Sequence, residues 1–348
     1  MNDRHAPTGG RPARVAVVTT GGTISSRGHH PGDLTDYMTS GQHAPADELV
    51  AAATPGVGDV EVVAVDLGAT GGPGIDPRAW LRLHAHLREL APTVDGLVVT
   101  HGTNTLEETA LFLRLTWPHD TPVVLTGAMR PAGAHATDGP GNLAAAVRVA
   151  ASPASRGRGV QVVIGTRIFD ARHVTKTSGE ATDAFAAGDQ GPVGFAELHG
   201  PVRYLAAPFA VPTTAIDHLD VAAGELLPRV DVVVSHVGAD GAAVDAHLAA
   251  GSRALVLAGT GSGHPGHAER DALDRAADHG VLRCRATRTG GGVVAPHPLY
   301  PGWLAAGRLT PWAARTALSV LLTRTDDVDE LQDLLDRIQW LPATPDVR

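Results

Sequence analysis

The chain has 348 residues, 43 % hydrophobic and 19 % charged, which suffices for two packed domains of ordinary globular composition. A net charge of −9 gives no basic surface for a nucleic acid, and no stretch of 18 apolar residues exists to span a membrane. The single cysteine, Cys284, cannot close an internal disulfide, and the polar, Gly- and Pro-bearing start lacks the apolar core of a signal peptide, so a cytoplasmic protein is expected.

Residues 1–13 read as a disordered lead-in. A β-branched strand at 14–18 then runs into Thr19-Thr20-Gly21-Gly22-Thr23, where paired glycines turn the backbone sharply and leave Thr23 on an open loop. The pattern lacks the Gly-Lys-Ser/Thr ending of a phosphate loop. Residues 27–42 are polar, with four Gly or Pro, and carry Tyr37, one of three tyrosines; so long a loop is either disordered or a lid. A short helix at 47–53, a strand at 60–67, a flexible glycine turn at 68–74 and a helix at 77–90 follow.

The central stretch is a buried strand, Leu97 to Thr100, that ends in His101-Gly102-Thr103-Asn104-Thr105 and passes directly into a helix opening Leu106-Glu107-Glu108. Acids in a first turn match the helix dipole, and the carboxyl ends of strands in open α/β sheets are where ligands bind. Alternation continues with strands at 122–126 and 161–165. Residues 207–228, with three prolines and no strong period, form the best linker, after which strand and helix alternate again to a closing helical pair at 310–324 and 327–338. The class is therefore α/β: a larger N-terminal domain (14–206) with a mostly parallel sheet flanked by helices, and a smaller C-terminal α/β domain (229–348).

Of 28 basic residues only Lys176 is a lysine. In a chain that fills surface charge with arginine, a lone lysine points to a role arginine cannot take, that of an ammonium able to lose its proton when desolvated. Eighteen histidines form no metal-binding spacing, His84 and His86 fall on different faces of one helix, and no Gly-x-Ser-x-Gly elbow occurs. Gly261-Ser262-Gly263-His264-Pro265-Gly266 matches a dinucleotide fingerprint, but Pro265 interrupts the helix start and no acid ends the next strand, which favours a plain glycine turn. No metal and no cofactor are expected. Thr23, Thr103 and Lys176 form the preferred constellation, since a threonine hydroxyl needs a base and a desolvated lysine can supply one.

These residues carry a resemblance. Residues 18–24 and 99–109 resemble the two signatures of the bacterial-type L-asparaginase/glutaminase family, and 127–131, 138–143 and 170–177 match further family blocks in order and spacing. The resemblance implies hydrolysis of a side-chain carboxamide without cofactor, a homotetramer or dimer with sites between subunits, and a left-handed crossover near the site. Carried over by position, Thr23 is the nucleophile, Tyr37 the assisting loop residue, Thr103 the second threonine and Lys176 its lysine. Gly22, Gly72 and Asn104 fall at substrate-binding positions. The chain departs from the family pattern at Asn104, where an Asp is usual; at 71–74, where a Ser usually holds the substrate carboxylate; and at 289–297, which contains no acid. All three departures concern the α-amino or α-carboxylate end of asparagine, which leaves a weakly catalytic binding or regulatory protein on the same fold as the alternative.

Overall fold

The computed structural model describes residues 11–71, 75–197, 200–216, 219 and 225–340. In chain order the first half comprises β1 (Ala13–Gly21), β2 (Ser26–Arg27), β3 (Gln42–His43), α1 (Ala46–Ala53), β4 (Val60–Gly71), α2 (Pro77–Leu90), β5 (Gly96–Thr100), α3 (Leu106–Thr116), β6 (Val123–Thr126), α4 (Gly139–Ala151) and β7 (Val160–Ile164). Next come β8 (Arg167–Asp170), β9 (Thr175–Lys176), β10 (Phe185–Ala186), β11 (Gly194–Ala196) and β12 (Val202–Tyr204). The remainder is β13 (Val230–Val234), α5 (Ala242–Ala249), β14 (Ala254–Gly259), α6 (His267–Asp278), β15 (Leu282–Thr287), β16 (Leu304–Ala305), α7 (Pro311–Leu321) and α8 (Val328–Gln339).

The main sheet has the order β12-β11-β8-β7-β6-β5-β1-β4. Strands β4, β1, β5, β6 and β7 are parallel to their neighbours in turn, whereas β8, β11 and β12 extend the sheet by antiparallel pairing. Side chains alternate across a strand, and the core divides accordingly. Ala16, Val18, Leu97, Val99, Val123 and Leu125 join α2 and α3 on one face, while Val15, Val17, Val98 and Val124 join α1 and α4 on the other. The connections β5-α3-β6 and β6-α4-β7 step in the same direction along the sheet, yet their helices lie on opposite faces, so the two have opposite hands. The first shares its hand with β1-α1-β4 and β4-α2-β5, which leaves β6-α4-β7 as the left-handed exception to the usual rule.

A second sheet, β13-β14-β15-β16, is wholly parallel, with α5 and α6 on one face and α7 and α8 on the other. Helix α3 is buried nearly all round because α7 packs on the side turned away from the main sheet, so one apolar core runs through both sheets.

One expectation needs correction, and the structure fills in two others. The turn expected from residue 68 is instead the continuation of β4 to Gly71. Thr19 pairs with Asp66 but Gly21 with Gly71, a bulge held where Thr19 Oγ1 donates to Asp66 Oδ1 (2.9 Å) and eased by Gly68 at φ +75°. The part of 207–228 read as linker that precedes the second sheet is packed: Thr214 N–H donates to Leu115 O (2.7 Å), and Thr214, Ile216 and Leu227 are buried. The 27–42 loop is ordered by Asp33, whose carboxylate accepts the backbone N–H groups of His29 (3.0 Å), Thr35 (3.3 Å) and Asp36 (2.9 Å). Those bonds, the one from His29 foremost, hold its carboxyl below the usual carboxylate range.

Candidate active site

The ends of β1 and β5 lie side by side, and glycine lets their turns touch. Gly22 has φ +89°, and a Cβ placed there would sit 2.6 Å from Gly102 Cα and 2.6 Å from Gly102 N. The contact sets the segment carrying Thr23 against the segment carrying Thr103.

On the first turn, Thr23 Oγ1 lies 2.9 Å from Tyr37 OH. The tyrosine reaches back from the 3₁₀ turn Tyr37–Ser40, so the Asp33-ordered loop delivers it to the threonine. On the second, the Lys176 ammonium donates to Thr103 Oγ1 (2.8 Å) and Asn104 Oδ1 (3.1 Å). Thr103 is buried and Asn104 exposed, so the lysine spans the boundary between protein and solvent. Burial lowers the Lys176 pKa, and the negative field of Glu107 opposes that shift. Thr23, Thr103, Asn104 and the backbone of Gly22 are thus set on adjoining turns at one end of the sheet, with Tyr37 brought in by its 3₁₀ turn and Lys176 by β9; Gly72 lies outside the described residues.

The neighbouring residues act as framework. His101 is fully buried; its Nδ1–H donates to Gly102 O (2.7 Å) and its Nε2 accepts from Thr109 Oγ1 (3.0 Å), which in turn accepts from Trp80 Nε1 (2.8 Å). Burial pushes its pKa down to about 4, so the ring is a neutral brace for the turn. Asp138 accepts the N–H groups of Met129 (3.0 Å) and Arg130 (2.9 Å), and Asn142 donates to Gly127 O (2.9 Å), which clamps the loop after β6 beside His101. His84 of α2 is buried against Thr116 O of α3 (3.1 Å), whereas His86 of α2 is exposed.

Lysine delivery depends on residues the sequence reading did not single out. Glu107 Oε2, from the first turn of α3, accepts the backbone N–H of Lys176 (2.7 Å). Arg172 pairs with Asp170 through two bonds (2.9 and 2.8 Å), donates to Ile338 O (3.0 Å) and stacks on Phe209 (3.8 Å), anchoring the chain just before β9. The available signal was the placement of an acid in a helix's first turn, which explains a carboxylate there without saying what it holds.

The glycine-rich turn before α6 offers no room for a pyrophosphate. Thr260 and His264 close it with reciprocal backbone bonds (3.0 and 2.8 Å), and the fully buried Glu269 occupies the helix N-terminus, accepting from Gly266 N (2.9 Å) and Ser235 Oγ (2.5 Å). A carboxyl group already fills the position a phosphate would take.

A two-sheet α/β protein with hydroxyl, phenol and ammonium groups gathered beside the carboxyl ends of β1 and β5 has the architecture of an amide hydrolase. Family models place the chain: "Asparaginase, N-terminal" matches residues 14–208 and "Glutaminase/Asparaginase C-terminal domain" matches 229–335. L-asparaginase 2 of Bacillus subtilis is 36 % identical over 326 residues, covering 91 % of this chain and 84 % of the relative. The glutaminase-asparaginase of Acinetobacter glutaminasificans is 33 % identical over 331 residues, covering 92 % and 98 %. The crystal structure of a probable cytoplasmic L-asparaginase from Campylobacter jejuni superimposes with a TM-score of 0.85 at 32 % identity, covering 93 % of this chain and 99 % of that one. The chain belongs to the asparaginase family of amidohydrolases.

Proposed function

We propose that the protein hydrolyses the side-chain carboxamide of L-asparagine, or of a closely related amide, to the carboxylate and ammonia, with Thr23 as nucleophile. The observation that carries this reading is the pair of polar couples on touching turns, Thr23 with Tyr37 and Thr103 with Lys176. Thr23 Oγ attacks the amide carbon while its proton passes to the Tyr37 oxygen and the phenol's own proton moves on to the substrate nitrogen, and backbone N–H groups of the glycine-lined turns steady the oxyanion. The nitrogen, so protonated, leaves as ammonia. Water, deprotonated through Thr103 and the Lys176 amine, then cleaves the acyl-threonine and releases the acid. The protein works as a dimer or larger assembly: Val234, Val237 and Val293 are exposed near the carboxyl edge of the second sheet, the kind of apolar surface another subunit covers.

The neutral Asn104 supports a second reading, a weakly catalytic binder on this fold. An ammonia-release assay over asparagine, glutamine and other side-chain amides separates the two. In the hydrolase, Thr23→Ala lowers kcat on the order of 10⁴-fold or more, the scale for removing an activated nucleophile, and Tyr37→Phe lowers it by about 10²–10⁴-fold. Both should keep the parental melting temperature. Full activity in Thr23→Ala ends the nucleophile assignment; absence of turnover on every amide, with ligand-induced stabilisation intact, favours the binder.

A further inference from the structure

We propose that Glu107 is a positioning residue for the reaction, holding Lys176 in place through its backbone and tuning the ammonium with its charge. The inference rests on the reading of Lys176 as a working base.

Strand β9 contains only Thr175 and Lys176 and, among the described residues, pairs only with the equally short β10, where Phe185 lies opposite Lys176. So small a ladder fixes the direction of a lysine poorly without a further anchor. Glu107 supplies one. Its Oε2 accepts Lys176 N–H at 2.7 Å and the carboxylate also takes a bond from the Thr175 side chain, so α3, which carries Thr103 and Asn104 just ahead of its first turn, grips the strand that carries the lysine. One helix start therefore sets both ends of the Thr103–Lys176 contact.

The charge matters because Asn104, the other residue touching the ammonium, has none. Glu107 faces the lysine from α3. Glu108 is drawn toward Arg315 of α7 (3.7 Å). Arg288 and Arg308, from the second sheet's loops, line a cavity of about 300 Å³ with Lys176, and Arg308 is engaged by Asp189 (3.4 Å). His173, three residues before Lys176, is kept neutral near pH 7 by burial, its pKa pushed down to about 4. Glu107 is the charge whose field raises the proton affinity of Lys176 against desolvation.

The test measures kcat and KM against pH for the full-length protein on its best amide. Glu107→Gln keeps an acceptor oxygen but removes the charge. Lys176 then loses its proton more readily, and the acidic limb of kcat moves to lower pH while KM stays within about twofold. Glu107→Ala removes the grip and lowers kcat at every pH, on the order of 10²-fold for a displacement near 1 Å. Asn104→Asp combined with Glu107→Gln supplies a carboxylate from the other side and moves the limb back up. A Glu107→Gln profile that superimposes on wild type overturns the proposal. Should that variant fail to fold, Glu107→Asp takes its place: it keeps the charge, so a lowered kcat with an unmoved limb is expected and a displaced limb overturns the proposal. Thr23→Ala runs in parallel. If it is active, the underlying reading has failed; if it is inactive while the Glu107→Gln profile is unchanged, only the role of Glu107 has.

Discussion

Replacing Asn104 with aspartate puts a carboxylate where an amide oxygen now lies 3.1 Å from the Lys176 ammonium. For unit charges at that separation and an effective dielectric near 20, the attraction is about 5 kcal/mol before solvation. Asn104 is exposed, so water and side-chain entropy reduce the net gain to about 1 kcal/mol, the upper end for surface pairs. That still changes the balance of ammonium over amine about fivefold, and the acidic limb of kcat moves to higher pH if Lys176 acts as the amine. The same carboxylate can meet a substrate's free α-ammonium. A hydrogen bond to a charged group contributes about 1.5–3 kcal/mol, so the preference for asparagine over its N-acetyl derivative, read as the ratio of kcat/KM values, should rise on the order of tenfold or more. Steady-state ammonia release on both amides from pH 5 to 10 reads the two effects together. Loss of asparagine activity in the variant, or a wild type that already strongly prefers free asparagine, would refute the idea that Asn104 sets substrate choice.

Gly22→Ala should damage turnover more than its backbone cost alone. Its Cβ would meet Gly102 at 2.6 Å, so kcat should fall on the order of 10²-fold as Thr23 shifts, whereas Gly58→Ala, also at positive φ but with nothing within 4 Å, should lower only the melting temperature. Equal kcat in the two variants would show that the touching turns do not set the geometry. Sedimentation should show a dimer or tetramer, with activity declining on dilution through its dissociation range; a fully active monomer would rule out a site shared between subunits.

The alternating α/β pattern was legible because apolar strands and periodic helices are local signals, and α2 falls where the leucine spacing placed it, Pro77–Leu90. Lys176 was legible for a different reason: composition made it conspicuous, and its ammonium meets Thr103 across 73 positions of sequence. Features set by a neighbouring strand or helix were not legible. Gly68 reads as a turn by itself and becomes a strand bulge only because Thr19 holds Asp66. The three prolines of 207–228 marked a linker, since they cannot donate to a ladder, but gave no sign that Arg114 would reach across to Phe209 O (2.6 Å). Glu107 looked like a dipole-matching acid, and only the arrival of β9 shows what it binds.

A candidate-site residue that is also the only lysine makes the molecule chemically single-addressed. Apart from the chain's own α-amino group, Lys176 carries the one primary amine, so lysine labelled with ¹³C or ¹⁵N gives a single side-chain resonance whose titration reports the site directly. The same fact inverts ordinary bioconjugation practice. Reagents that decorate most proteins on surface lysines find a guanidinium coat here, and their principal side-chain amine target is the Nζ held between Thr103 and Asn104. Attachment to a support or a polymer is better directed to carboxylates, of which the exposed face of α8 offers Asp329 and Asp333 far along the chain from the site.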